Sequence, residues 1–158
     1  MPIGLCILLL ILSLVYKGLS NQRRIILAVN MGLAFAAIIT NIIKISVKRI
    51  RPCHDPYVST LFFLLTTSDH YSFPSGHSSS IWAMMTPIID KSNRKWAKIL
   101  ALVIGVYIPF TRVYLGVHYF SDVIIGSILG SVAWFISKRI FLTPIQENNI
   151  KTESTKST

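Results

Sequence analysis

Three short stretches of the 158-residue chain hold side chains that can grip an anion or move a proton. The first runs from Lys44 to Pro52 and includes Lys48, Arg49 and Arg51. Lys44 and Arg51 stand two helical turns apart, so a continuing helix would put them on one face. Pro52 lacks an N–H and pushes Arg51 out of the helical region, so the helix is expected to end there. Lys48 and Arg49 would point elsewhere, toward headgroups or the interface. A snorkelling basic belt is the plainer reading of this run. The second stretch is Pro74-Ser75-Gly76-His77. Ser75 can cap a helix, Gly76 lets a ligand approach the backbone, and free N–H groups at a helix start attract phosphate. Taken alone it also reads as a turn and a cap. The third stretch, Thr111 to Asp122, carries Arg112 and His118. His118 and Asp122 are spaced i,i+4 and face the same way on a helix. The carboxylate can accept the Nδ1–H and leave Nε2 as a base, nucleophile or ligand. Such a pair also occurs in purely structural settings, but an Asp inside an apolar span is costly and marks a functional candidate.

The elements that must position these residues are apolar. Residues of the AVILMFWYC set form 52% of the chain and charged residues 14%, against about 25% charged in an average soluble domain. That leaves too little polar surface for a water-soluble fold, and the apolar residues fall in blocks. A bilayer core takes about 20 residues of helix. Five spans are expected, at 2–17, 25–44, 74–90, 96–113 and 118–140, the third being the weakest by hydropathy. The first block lacks a basic n-region and a small-residue cleavage site, so it reads as a retained span rather than a signal peptide. The expected fold is an all-α integral membrane bundle of about five helices. It forms one domain over 1–142, followed by a polar, disordered tail over 143–158. Cys6 and Cys53 are not expected to meet, and no Cys or His spacing calls for a metal. Gly126 and Gly130 form a G-x-x-x-G, read as close packing inside the bundle in preference to dimerisation. The run Leu61 to Leu65 reads equally as an interfacial lid or as a loop packed on the bundle.

The net charge of +10 then becomes a topology rather than a sign of nucleic acid. Lys and Arg accumulate on cytoplasmic loops. Alternate connections hold Lys17, Arg23 and Arg24, then Lys91, Arg94, Lys95 and Lys98, then Lys138, Arg139, Lys151 and Lys156. The opposite side holds Lys44, Lys48, Arg49, Arg51 and Arg112. The N-terminus is therefore expected outside and the C-terminus in the cytoplasm, with Trp96 and Trp134 near the cytoplasmic headgroup layer. All three chemical stretches fall on the outer side, which should be poor in cations.

Together these segments resemble the three-part signature of the type 2 phosphatidic acid phosphatase superfamily, the lipid phosphate phosphatases related to vanadium haloperoxidases. The family pattern is K-x6-R-P, then P-S-G-H, then S-R-x5-H-x3-D. Here it reads Lys44 and Arg51-Pro52, then Pro74 to His77, then Arg112, His118 and Asp122, with every spacing kept. Thr111 replaces the usual Ser and keeps a hydroxyl. Integral members commonly have six spans, one more than expected here. The resemblance implies metal-free hydrolysis of a phosphate ester through a phosphohistidine, with no cofactor. His118 would be the nucleophile, Asp122 its orienting partner and His77 the general acid and later base. Lys44, Arg51, Arg112, Ser75 and the Gly76 N–H would hold the phosphoryl group.

The substrate expected from this location is a lipid mono- or diphosphate. Phosphatidylglycerophosphate, phosphatidic acid, undecaprenyl diphosphate and lipid A 1-phosphate are the candidates, in the inner membrane of a bacterium. The only other partners expected are membrane lipids, with a monomer slightly favoured. A non-enzymatic phospholipid-binding or transport protein is the rival reading. It would need the cations but not an oriented imidazole.

Overall fold

The structure, a computed structural model, describes residues 20–59 and 69–142. Within them the chain is helical, with one isolated antiparallel bridge between Ile50 and Tyr71 and no strand. Helix α1 spans Ser20–Val47. Its polar residues are compatible with an apolar setting because Asn30, Asn41 and Ser46 donate to the carbonyls of Ile26, Ala37 and Ile42, one turn back. The helix ends at Val47 because Lys48 turns left-handed (φ 50°) and donates its N–H to the Lys44 carbonyl at 3.1 Å. This corrects the expected continuation to Pro52. Lys44 is on the helix, whereas Arg51 sits beyond it in extended backbone (φ −73°, ψ 150°). A 3₁₀ turn over Pro52–His54 and the short α2 (Pro56–Ser59) follow.

Three further helices complete the bundle: α3 (Gly76–Lys91), α4 (Lys95–Tyr114) and α5 (Phe120–Phe141). Only residues 92–94 join α3 to α4, which makes them antiparallel neighbours. Helix α5 packs on both α1 and α3. Its glycines explain how closely. A Cβ on Gly126 would lie 2.5 Å from the Ser75 carbonyl oxygen, and one on Gly130 would lie 2.1 Å from that of Ser79. The G-x-x-x-G is thus a packing seam between α3 and α5. Hydrogen bonds between hydroxyls cross the interior, from Thr40 to Ser79 and from Thr86 to Ser131. Ser137 donates to the Ala28 carbonyl and ties the end of α5 to the start of α1. Trp134 is fully buried in this interior. It is a core residue and not the headgroup anchor expected, whereas Trp96 is exposed.

Among the described residues, three helices are long and apolar enough to cross a membrane: α1 over Arg23–Val47, α4 and α5. On α4 only 17% of the apolar window is buried, and Ile99, Val103, Val106, Tyr107 and Phe110 are all exposed. An apolar face of that extent is incompatible with water and natural in lipid. Helix α3 forms where the third span is expected, but its 16 residues extend only about 24 Å at 1.5 Å each, less than a bilayer core of about 30 Å. The expected span 2–17, the Leu61 to Leu65 run and the tail 143–158 lie outside the described residues.

Candidate active site

The end of the bundle where α1 stops and α3 and α5 begin gathers the three sequence stretches. Each is brought there by a local device. Pro74, Ser75 and the α3 start are anchored by the Ser75 N–H, which donates to the Asp122 carbonyl at 3.0 Å. Ser75 caps α3, accepting the Ser78 N–H at 3.4 Å and the Ser78 hydroxyl at 2.9 Å, and is fully buried. It therefore sits behind the cavity rather than on its wall, unlike the phosphate contact expected of it. Gly76 is on the wall, and a Cβ there would meet nothing nearer than Thr40 at 4.0 Å, so it would project into the cavity space. The turn from α4 to α5 uses Gly116 at φ 66°, a conformation that favours glycine. That reversal lets the Arg112 carbonyl accept the N–H groups of Val117 and His118, at 3.2 and 3.3 Å. The five-residue gap between Arg112 and His118 is the length of this turn.

A cavity of about 380 Å³ opens at this end and runs down between α1 and α3. Its polar wall carries Lys44, Arg51, Asp69, Gly76, His77 and His118. Its deeper wall is largely apolar, with Leu33, Ala37, Ile81 and Met84. Asp122 is buried behind it, and Arg112 is not on the wall. The Nη1 of Arg51 lies 3.2 Å from Nε2 of His118 and donates to the Val117 carbonyl at 3.1 Å. A guanidinium only donates, so Nε2 is the accepting nitrogen and the neutral ring carries its proton on Nδ1. Nδ1 faces Oδ2 of Asp122 at 3.6 Å, longer than a formed hydrogen bond. Oδ2 also accepts the Tyr119 N–H at 3.0 Å. The Nε atoms of Arg51 and Arg112, like Nδ1 of His118, are buried without a hydrogen-bond partner.

Two residues of this site are ones the sequence reading did not place in it. Asp69 accepts both Lys44 Nζ and Arg51 Nη2 at 2.9 Å on a single oxygen, Oδ2. Partial burial alone would raise its pKa, but hydrogen bonds from Lys44, the Tyr71 N–H and Arg51 outweigh that and lower it to about 2. It is this shared carboxylate, and not a common helix face, that brings Lys44 and Arg51 together. Arg49, expected at the interface, instead donates to Oδ1 of Asp122 at 2.9 Å and to the Ser121 hydroxyl at 2.8 Å. The left-handed Lys48 is what re-aims it, and no sequence signal marks that turn. No group of three His, Cys, Asp or Glu is arranged to hold a metal among the described residues.

Residues 25–145 match the model of the PAP2 superfamily. The chain belongs to that superfamily. It is 31% identical over 137 residues to the undecaprenyl-diphosphatase of Sulfolobus acidocaldarius, covering 86% of this chain and 64% of that one. It is 32% identical to phosphatidylglycerophosphatase B of Bacillus subtilis, covering 64% and 50%. Among PAP2 structures, the transmembrane phosphatidylglycerolphosphate phosphatase from Bacillus subtilis superposes with a TM-score of 0.66 at 24% identity, covering 87% of this chain and 67% of that one. LpxE of Aquifex aeolicus does so with 0.53 at 23%, covering 85% and 86%. These two likenesses establish the fold. The chain spans about half to two thirds of the length of the two curated relatives.

Proposed function

We propose that this PAP2 chain is a membrane-embedded phosphatase that removes phosphate from a lipid mono- or diphosphate through a phosphohistidine on His118, without a metal. The observation that carries the reading is the orientation of that imidazole. Its accepting nitrogen is on the cavity wall beside Arg51, and its proton-bearing nitrogen faces a buried carboxylate. In the reaction Nε2 of His118 attacks phosphorus and the bond from phosphorus to the leaving oxygen breaks. His77, exposed on the wall, gives that oxygen a proton and then takes one from the water that hydrolyses the phosphohistidine. Asp122 keeps the tautomer and stabilises the imidazolium. Lys44 and Arg51, on the wall, stabilise the charge on the phosphoryl oxygens, the largest expected catalytic contribution, and Arg112 adds its positive charge from outside the lining. The Gly76 N–H at the start of α3 adds a further donor.

The apolar depth of the cavity supports a lipid substrate, since Leu33, Ala37, Ile81 and Met84 continue directly below the cations. The names of the relatives supply the panel: undecaprenyl diphosphate, phosphatidylglycerophosphate and lipid A 1-phosphate, with phosphatidic acid added. Five spans, an outward N-terminus and a site on the outer face complete the proposal, on the charge asymmetry between the ends. The test is phosphate release from this panel in detergent micelles containing EDTA. Turnover of at least one lipid with no added metal is expected. A requirement for divalent metal, or tight lipid binding with no release from any of them, would contradict the proposal.

A further inference from the structure

We propose that Arg49 is a positioning residue for the reaction, holding Oδ1 of Asp122 so that Oδ2 is presented to His118. This rests on the phosphatase reading above and adds a residue to it. The two oxygens of Asp122 are divided between partners. Oδ1 takes the Arg49 guanidinium at 2.9 Å, while Oδ2 takes the Tyr119 N–H at 3.0 Å and faces Nδ1 of His118. A carboxylate with no solvent exposure is costly unless its charge is matched. His118 is neutral before it attacks, so it is Arg49 that matches that charge in the resting site. The guanidinium is itself fixed from several sides. It lies 4.0 Å over the Tyr119 ring and donates to Ser121, and the Arg49 carbonyl accepts the Ser72 N–H at 2.8 Å.

Arg49 does not line the cavity, so it acts on the substrate only through Asp122 and His118. The charged and titratable groups around this pair come from every element that meets here. Arg49 and Arg51 follow α1, with Asp69 paired to Arg51; Arg112 is in the last turn of α4, His118 precedes α5 and Asp122 is in its first turn. The start of α3 brings His77, whose charge would act on Arg112 and His118, and the Ser75 N–H, on the Asp122 carbonyl. Removing the Arg49 charge leaves the carboxylate to hold a proton, or to hold one on His118, more tightly. Both effects block the nucleophile, and both act at the acidic end of the pH range.

The test measures kcat, KM and the pH profile of kcat on the lipid that wild type turns over best, with His118→Ala alongside. Arg49→Gln is expected to lower kcat at least about 10-fold, as loss of an outer orienting partner does, with KM within about 2-fold. Its acidic limb should move upward by about 1 pH unit or more. Arg49→Lys keeps the charge but not the fork, and should restore part of kcat with the limb near its wild-type position. If Arg49→Gln does not fold, a lowered kcat at unchanged KM in Arg49→Lys carries the same expectation. Wild-type kcat and an unmoved limb in Arg49→Gln, or an effect on KM alone, would overturn the assignment and leave Arg49 as a headgroup contact. Wild-type release beside a silent His118→Ala shows that such a failure belongs to Arg49 alone. No release by wild type would overturn the phosphatase reading and this inference together.

Discussion

In the resting site the two cations on the cavity wall are already engaged. Lys44 and Arg51 share one oxygen of Asp69, and Arg51 also covers Nε2 of His118. A phosphoryl group entering this site competes with the Asp69 carboxylate for the same donors. Asp69→Asn should therefore lower the inhibition constant for inorganic phosphate, by about 10-fold for the loss of a charge-assisted contact of about 1.4 kcal/mol. If Asp69 served only to hold the two cations in place, the constant would rise instead. The contact does not titrate in the working range. With its pKa lowered to about 2 from the ordinary 3.8 of an aspartate, Asp69 contributes stability that is fully present above about pH 4 and fades as pH falls through about 2. Wild type and Asp69→Asn should keep a constant difference in thermal midpoint from pH 5 to 8, one that shrinks below pH 4. The catalytic types and spacings are legible in the sequence at this scale, because an imidazole, its carboxylate and an Arg–Pro step are each chemically distinctive. Asp69 and Arg49 are not. One is brought in from a distant loop, and the other depends on the backbone angle of Lys48, which no neighbouring residue type predicts.

At the scale of elements, the site depends on how tightly α5 approaches α3. The Ser75 N–H reaches the Asp122 carbonyl only because Gly126 presents no side chain at that crossing. Gly126→Ala would place a Cβ 2.5 Å from a backbone oxygen that cannot turn aside, a strain of about 1–3 kcal/mol. The expected result is a lower thermal midpoint together with a lower kcat. Gly32→Ala is the control, since its Cβ would meet nothing closer than Trp134 Cα at 3.5 Å. It should be neutral or slightly stabilising, as Ala favours helix over Gly by about 1 kcal/mol. Equal damage by both substitutions would mean that the seam has no special link to the site. Helix positions follow from the apolar blocks, and the close-packing reading of Gly126 and Gly130 follows from their spacing. The early end of α1 and the burial of Trp134 do not, since both depend on what another helix leaves room for.

For the whole molecule, charge and hydropathy describe one arrangement. The Asp90 carboxylate accepts Lys138 Nζ on Oδ1 at 2.9 Å, so the ends of α3 and α5 meet on the side where the sequence also places Arg23, Arg24, Lys91, Arg94, Lys95 and Lys98. The site occupies the opposite end, where the cations are fewer. In the proposed topology the crowded end faces the cytoplasm. With Cys6 and Cys53 replaced by Ser, a cysteine at Asn93 should react with a membrane-impermeant maleimide only from the cytoplasmic face, and one at Lys48 only from the outer face. The reverse pattern would invert the topology without touching the chemistry. The chemistry is tested most directly by phosphate release from lipid phosphate in micelles, wild type beside His118→Ala, with lipid binding measured on both. The account predicts steady release by wild type, a loss of about 10³-fold or more in the variant, and binding retained by both. A variant that binds and turns over like wild type would contradict it.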